Sequence, residues 1–275
     1  MGKCVLLCLL VACTFLGSRA QTPALVRDTI WGEFPSVVRV KTPRENQFCL
    51  GTVLNSNHVL TSAFCVLSYE RTRVFPARLV RVIAGDISVA PVANTRQTRT
   101  ALHIFVHEDY RPHTFENNLA VIRLSEHLHL PSNGIEAAEL RMRIVPENHP
   151  CDVVTWYRAP FAEVDPSQGI PRQQAFTVNI RNRDACAAER RTELTIEESA
   201  LCTYTTNTVS VVQGDPMFCD GELTSIQSFV FLPPDQQQQN QPNLVSTQVR
   251  FYFHWINMQL TRTQPMPDGW NPVEF

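Results

Sequence analysis

The sequence predicts an all-β protein built as a barrel or a sandwich. Its clearest apolar segments are short, rich in β-branched residues and bounded by turn formers, which is typical of strands rather than helices. These segments are Val37–Val40, Leu79–Ala84, Ala120–Leu124 and Ala175–Ile180. Hydrophobic residues make up 44% of the 275 residues, which is ample for a core, and no internal repeat divides the chain.

Residues 1–20 have the pattern of a secretory signal peptide. Lys3 supplies the charged start, Val5–Leu16 the apolar run, and Ser18-Arg19-Ala20 a cleavage site. A membrane anchor is the alternative, but the run is shorter than the ~18 apolar residues of a span, and no later segment reaches that length. We therefore expect a secreted, extracellular protein with no membrane span.

The cysteine content indicates disulfide bonds. Three of the nine cysteines lie in the signal peptide, and the other six are an even number in a chain that we expect to be secreted. Six cysteines predict three disulfides, for which the count alone leaves fifteen pairings open. The six are Cys49, Cys65, Cys151, Cys186, Cys202 and Cys219.

A segment near residue 60 resembles a known catalytic motif. Residues 57–65 read Asn-His-Val-Leu-Thr-Ser-Ala-Phe-Cys, which resembles the V-L-T-A-A-H-C signature of trypsin- and chymotrypsin-like serine proteases. In that family the residue before the cysteine is the histidine that accepts the serine proton, and here it is Phe64. A benzyl ring has no nitrogen to accept a proton, so the resemblance implies that the general base is missing.

A second motif matches the strand that carries the family's aspartate. Residues 116–124 read Glu-Asn-Asn-Leu-Ala-Val-Ile-Arg-Leu, which resembles N-D-I-A-L-L-R-L with Asn118 at the aspartate position. An amide stabilises an imidazolium less well than a carboxylate does, and this exchange costs roughly 10⁴ in rate in a serine protease triad. The resemblance therefore implies that the residue orienting the base is lost as well.

The third motif is shortened where the nucleophile belongs. Residues 213–219 read Gln-Gly-Asp-Pro-Met-Phe-Cys, which resembles G-D-S-G-G-P-L-x-C without its S-G-G. Alignment on the Gly-Asp pair deletes the nucleophile between Asp215 and Pro216, whereas ungapped alignment on Cys219 replaces it with Gln213. The shortening is also expected to displace the backbone donors of the oxyanion hole.

The family resemblance implies a fold and a division of the chain. The implied fold is two packed six-stranded antiparallel barrels with a closing C-terminal helix, which residues 253–260 resemble. The implied division is a signal peptide at 1–20, a short segment at 21–31, a trypsin-like domain at 32–262 and a tail at 263–275.

The resemblance also implies how the cysteines pair. The implied disulfides are Cys49–Cys65, Cys151–Cys219 and Cys186–Cys202. A fourth family pair, which braces the nucleophile loop against the specificity pocket, is lost because Val212 replaces one cysteine and the other is absent. The glutamine-rich segment 235–242 falls where the pocket wall belongs, so we expect a narrowed or collapsed cleft.

The family's activation site has no counterpart. Residues 32–37 resemble the G-E-F-P-W-Q-V that normally follows R-I-V-G-G, but residues 27–31 read Arg-Asp-Thr-Ile-Trp. Activation in the family frees an isoleucine amine that pairs with the aspartate beside the nucleophile, here Asp215. We therefore expect no zymogen switch, with Asp215 either exposed or bound to another partner.

Charge patterning argues against nucleic-acid binding but leaves an exosite open. The formal charge is −2, and the chain after residue 20 carries 22 basic against 26 acidic residues, whereas nucleic-acid or heparin binders are expected to be basic. Arginines nevertheless cluster where some family members carry exosites, although an ordinary solvated face is the alternative. The candidate exosite is Arg71, Arg73, Arg78, Arg81, Arg96 and Arg99, with Arg111 beyond it.

No cofactor or metal site is expected from the sequence. His127 and His129 could share a strand face, but no third ligand is suggested nearby. The favoured function is a catalytically inactive protease homologue, most like secreted arthropod homologues, that binds an extracellular protein such as an active protease or its substrate. The alternatives are an active serine endopeptidase with a relocated site and a module that binds sulfated glycans or other anions.

Overall fold

The structure is a computed structural model that describes residues 26–44, 48–68, 70–71, 73–88, 94–156, 172–190, 196–205, 211–232 and 242–266. Strands predominate in this part of the chain, which confirms the predicted all-β class. The strands are β1 (Arg27–Asp28), β2 (Val37–Lys41), β3 (Phe48–Asn55), β4 (His58–Thr61), β5 (Arg81–Ala84), β6 (Gln97–Val106), β7 (Ala120–Leu124), β8 (Pro150–Trp156), β9 (Gln173–Asn179), β10 (Ala200–Tyr204), β11 (Pro216–Cys219), β12 (Glu222–Phe231) and β13 (Asn243–Gln248). The helices are α1 (Arg183–Ala188) and α2 (Phe253–Thr261).

The first half of the described chain forms a closed six-stranded barrel. The strands pair antiparallel in the order β2-β3-β4-β7-β6-β5. Aliphatic side chains, many of them β-branched, fill its interior, and Val53, Val59 and Ile122 are fully buried. Such side chains pack well on a pleated surface, which explains why the short apolar segments of the sequence become strands here.

The second half forms a seven-stranded antiparallel sheet in the order β1-β9-β8-β11-β12-β13-β10. Strands β9 and β10, near opposite edges of this sheet, lead to a single β-bridge between Ile180 and Thr203, and the amide of Arg181 donates to the carbonyl of Cys202 at 2.8 Å. The second sheet is therefore linked across its edges by this bridge, whereas the first barrel is closed by paired strands throughout. The predicted fold is confirmed in that the first unit is a closed six-stranded barrel and the second unit is a separate antiparallel sheet.

A shared apolar cluster joins the two halves. It contains Leu60 and Phe105 from the first barrel, Trp156 and Ile226 from the second sheet, and Ile256 from helix α2. Helix α2 buries Trp255, Ile256 and Gln259, which lie on one face at helical spacing. The sequence placed this helix at residues 253–260, one residue short of its observed end.

Three disulfides connect distant parts of the described chain. They are Cys49–Cys65, Cys151–Cys219 and Cys186–Cys202, the same pairs that the resemblance implies. Each joins a strand to a neighbouring element: β3 to the 3₁₀ turn Ala63–Val66, β8 to β11, and α1 to β10.

Both ends of the described chain join the fold. Strand β1 pairs with β9 through Arg27 and Ala175, and Thr29 donates its amide to the carbonyl of Gln173 at 3.1 Å. The end of the segment at 21–31 thus contributes a strand to the edge of the second sheet. Met266, in the expected tail at 263–275, packs on the shared apolar cluster. Residues 1–20, where a signal peptide is expected, and residues 267–275 lie outside the described residues.

Candidate functional site

Phe64 lies in the 3₁₀ turn Ala63–Val66, directly after strand β4. Its side chain is half-buried, and its backbone amide donates to Oδ1 of Asn118 at 3.0 Å. The structure thus brings together two positions that the motifs single out and that are 54 residues apart in sequence. A carbon-only ring stands at the position where the family motif has its histidine.

Asn118 is fully buried between the two halves of the protein. Its Nδ2 donates to Oγ of Ser228 in β12 at 2.9 Å, while its Oδ1 accepts the amide of Phe64. A buried polar group is stable only when its hydrogen bonds are made, and both ends of this amide are bonded. The uncharged side chain of Asn118 therefore links β12 to the Phe64 turn by hydrogen bonds.

The guanidinium groups of two arginines lie over the ring of Phe64, and one of them also lies over the ring of Phe115. The guanidinium carbon of Arg44 lies 4.2 Å from the Phe64 ring centroid. The guanidinium carbon of Arg71 lies 5.0 Å from the same centroid and 5.1 Å from that of Phe115. Phe64 and Phe115 are themselves 6.2 Å apart, and Phe115 stacks on Phe229 at 5.6 Å. Cation–π attraction at these distances favours the ring over a polar side chain.

The Gln213–Asp215 turn completes this cluster. The carbonyl oxygen of Gln213 lies 3.2 Å from the sulfur of Cys65, the neighbour of Phe64. Gly214 has a φ of +91°, and a Cβ there would lie 2.5 Å from the carbonyl of Leu50, so only glycine fits. We call Phe64, Asn118, the turn at 213–215, Arg44 and Arg71 the junction site.

Asp215 is buried and has a partner within its own turn. Its Oδ2 accepts the amide of Val212 at 2.8 Å, and its own amide donates to the carbonyl of Val212. Of the two expectations for this carboxylate, exposure or another partner, the structure shows the second. The chain then enters β11 directly at Pro216.

The structure divides the arginines of the candidate exosite. Arg71 belongs to the junction site, and Arg96 forms an ion pair with the buried Asp86. Arg99 donates to the carbonyl of His127 at 2.9 Å, so it is held by backbone. The side chains left on the exposed surface are Arg73, Arg78 and Arg81. The six arginines therefore do not form one continuous exposed patch.

Sequence reasoning missed one member of the junction site, Arg44, and two residues that contact the site, Phe115 and Ser228. Arg44, Phe115 and Ser228 lie 20, 51 and 164 residues from Phe64 along the chain, and no motif letter marks them. Only the pairing of the strands brings them beside Phe64. Of the glutamine-rich segment 235–242, which was expected to replace the pocket wall, residues 235–241 lie outside the described residues and Pro242 lies within them.

The histidines of the described residues lie outside the junction site. Among the described residues no group of three or more His, Cys, Asp or Glu could hold a metal ion. His127 Nδ1 lies 2.9 Å from Ser56 Oγ at the protein surface. His58 is buried, bonds Oδ1 of Asn55 through Nδ1, and has its pKa lowered to about 4, chiefly by burial and secondarily by Arg123.

The family model for trypsin matches residues 27–256 of this chain. The chain belongs to the trypsin family. Among its relatives, chymotrypsin-C of Bos taurus is 26% identical over 257 residues, which cover 85% of this chain and 87% of that protein. Trypsin of Sarcophaga bullata is 26% identical over 208 residues, covering 74% and 76%. A venom serine protease of Polistes dominula is 28% identical over 101 residues, covering 36% and 35%.

The trypsin-family match fits the observed architecture. It begins at Arg27, the residue that opens β1, and ends at Ile256 inside helix α2. The matched relatives carry the names of proteases, and they come from mammals and insects alike. Membership of the trypsin family therefore rests on the whole domain, while the chemistry depends on the residues at the junction site.

Proposed function

We propose that this trypsin-family chain is a secreted, non-catalytic homologue that acts by binding an extracellular protein. Its role would be that of a regulator, cofactor or decoy in an extracellular protease cascade, including cascades of innate immunity. The observation that carries the proposal is the Phe64 ring held under Arg44 and Arg71 at the histidine position. A side chain without a proton acceptor, packed this way, cannot serve as a general base.

The neighbours of Phe64 support the same proposal. Asn118 has both ends of its amide engaged, with the Phe64 amide and with Ser228. The turn at 213–215 is closed on itself through Asp215 and Val212, and no serine lies between Ser210 and Cys219. Base, orienting residue and nucleophile would each have to be supplied from elsewhere for proteolysis of the trypsin type.

Secretion is part of the proposal. It is supported by the signal-peptide pattern of residues 1–20 and by three disulfides, which persist in oxidising compartments. Within the described ranges no helix is both long and apolar enough to cross a membrane. The spacing H-V-L-T-x-A-x-C supports grouping the chain with secreted arthropod homologues of serine proteases.

Among the described residues, the serine–histidine hydrogen bond that the relocated-site alternative could use is that of Ser56 and His127. That pair has a serine–histidine distance of 2.9 Å, but it is exposed, and none of the hydrogen bonds or ion pairs among the described residues joins His127 to a carboxylate. A triad needs such a partner to orient the imidazole. The glycan alternative is disfavoured because Arg96 and Arg99 are engaged within the protein.

The test is activity-based labelling of the recombinant protein from residue 21, with trypsin as the positive control. We expect no fluorophosphonate label and no cleavage of peptide substrates, with or without limited trypsin treatment. Phe64→His alone is expected to remain inactive, because no serine stands at the nucleophile position. Labelling that is lost in Ser56→Ala would establish the relocated site and overturn the proposal, and so would cleavage that survives rigorous removal of contaminating proteases.

A further inference from the structure

Arg71 is held rigidly beside the Phe64 ring. Its guanidinium carbon lies about equally far from the Phe64 and Phe115 centroids, at 5.0 and 5.1 Å, so it caps the pair of rings. Its Nη1 donates to the carbonyl of Pro112 at 3.0 Å, and its amide donates to the carbonyl of Ser68 at 3.0 Å. A backbone φ of +60° fixes the turn that presents this side chain.

Within the part of the chain that the structure describes, no carboxylate is paired with the charge of Arg71. Among the described residues its one hydrogen-bond acceptor is the neutral Pro112 carbonyl, and no acid lies within ion-pair distance. Arg96 and Arg111, by contrast, pair with Asp86 and Glu116. A single carbonyl uses one of the five N–H donors of a guanidinium, so the planar edge of Arg71 keeps donors for a ligand.

We propose that Arg71, together with the rings of Phe64 and Phe115, forms a receptor for an aspartate or glutamate side chain of a protein partner. The inference rests on the proposed binding function and names the chemistry that the partner presents. A guanidinium fork binds a carboxylate through two parallel hydrogen bonds. Because rings and backbone already hold Arg71 in place, little side-chain entropy is lost when the carboxylate binds.

The surroundings of Arg71 favour an acidic peptide over a sulfated glycan. A glycan chain would need several cations in a row; Arg96, Arg99 and Arg111 are each bonded within the protein, and the exposed cations of the cluster are Arg73, Arg78 and Arg81. The walls beside Arg71 are aromatic: Phe64, Phe115 and the stacked Phe229. The single guanidinium of Arg71, surrounded by phenylalanine rings, is complementary to a peptide that presents one carboxylate between apolar side chains.

The probe is a bead-bound library of acetylated heptapeptides with a central Asp, Glu, Asn or Gln and random uncharged flanks. Sequencing of retained beads gives the ratio of acid-centred to amide-centred peptides. For the wild-type protein we expect a ratio of about ten, the gain from one charge-assisted pair. Arg71→Gln is expected to bring the ratio near one, and Arg71→Lys to give an intermediate value because it keeps the charge and loses the fork.

Arg73→Gln is the matched control, since Arg73 is exposed, is two residues away and carries the same charge. It is expected to leave the ratio unchanged. Thermal unfolding of each variant checks folding, and Phe115→Leu, which keeps Arg71 and removes one ring, is expected to lower the ratio about threefold.

Each contrary result has a distinct meaning. Equal retention of acid-centred and amide-centred peptides, or no retention at all, overturns the carboxylate receptor. An equal loss in Arg73→Gln also overturns it, because the effect would then be a general field of positive charge. Retention on heparin beads but not on peptide beads would assign the site to glycans instead. Cleavage of the bead peptides by wild type would refute the proposed non-catalytic function itself.

Discussion

Phe64 and Cys65 are neighbours in one 3₁₀ turn, yet they belong to regions of different character. Cys65 is part of the scaffold, by which we mean the barrel, the second sheet and the three disulfides. Phe64 is part of the junction site, where neutral hydrogen bonds and cation–π contacts occupy positions that the family motifs assign to catalysis. The comparison separates the residues that hold the fold together from the residues that line the junction site.

The two regions are stabilised in different ways. The scaffold depends on apolar burial, as with Val53 and Ile122, and on covalent links between distant segments. The junction depends on satisfying buried polar atoms: Asn118 has no exposed surface and uses both ends of its amide. Substitutions in the scaffold should therefore cost stability in proportion to the disulfide loop opened or the apolar area lost. Substitutions in the junction site should cost stability in proportion to the number of buried polar groups left without a hydrogen bond.

The largest effect is expected from the scaffold disulfides. Cys151–Cys219 closes 68 residues and Cys186–Cys202 closes 16, and all four cysteines are buried. In the chain-entropy model, replacing the first pair with alanines costs about 4 kcal/mol and replacing the second about 3 kcal/mol, because the longer loop gains more freedom. Urea unfolding of the two double variants measures the difference. A larger loss for the shorter loop would contradict this model.

The second prediction concerns the pH dependence of stability that a buried histidine of the scaffold causes. Burial lowers the pKa of His58, in the scaffold, to about 4. As pH falls below ~6.5 the unfolded chain takes up a proton that the folded chain does not accept until about pH 4, so stability falls across that window. The loss is on the order of 3 kcal/mol. We expect His58→Gln, followed by urea unfolding from pH 8 to pH 4, to remove the His58 share of the slope and to leave the share of His103 and His107, whose pKa values burial also lowers. An unchanged slope would contradict the prediction.

The third effect tests whether the junction tolerates a charge. Asn118→Asp places a carboxylate at a fully buried position beside a ring that cannot act as its cationic partner. We expect a loss of about 1–3 kcal/mol in unfolding free energy. Burial raises the pKa of such a carboxyl, so the loss should grow as pH rises above ~4. Asn133→Asp is the control, because Asn133 is exposed and accepts from Trp31 through Oδ1, which a carboxylate also does. Equal losses in both would contradict the prediction.

The sequence predicts the scaffold better than the junction for a physical reason. Short apolar segments such as residues 120–124 encode a strand locally, and the family resemblance of residues 253–260 locates helix α2 to within one residue of its observed end at Thr261. The motifs also identify Phe64 and Asn118, since each lies beside recognisable strand or cysteine letters. These features depend on neighbours along the chain.

The contacts within the junction depend on neighbours in space. Ser228 meets Asn118 only because β12 is placed against the loop before β7, and Arg44 meets Phe64 only because the chain after β2 returns over the 3₁₀ turn. The same limit explains why the arginine cluster was grouped as one surface. Proximity in sequence could not reveal that Arg96 turns inward to Asp86 while Arg71 lies on Phe64.

The smallest effect concerns the Phe64 ring itself. Phe64→Leu keeps an apolar side chain, and the backbone amide of residue 64 still donates to Oδ1 of Asn118. The substitution removes the aromatic face that contacts Arg44 and Arg71. Cation–π contacts contribute roughly 0.5–2 kcal/mol, so we expect a loss of about 1 kcal/mol in unfolding free energy. A double-mutant cycle with Arg71→Met isolates the pair and should give a coupling of roughly 0.5–1 kcal/mol.

Phe251→Leu is the matched control for this cycle, because the exposed Phe251 ring has one arginine, Arg250, lying 3.9 Å from its centroid. Solvent weakens an exposed contact, so its coupling with Arg250→Met should be the smaller of the two. If both cycles give the same coupling, the half-buried setting of Phe64 adds nothing to its contact with Arg71. If the Phe64 coupling is larger, the half-buried ring stabilises the junction site through that contact.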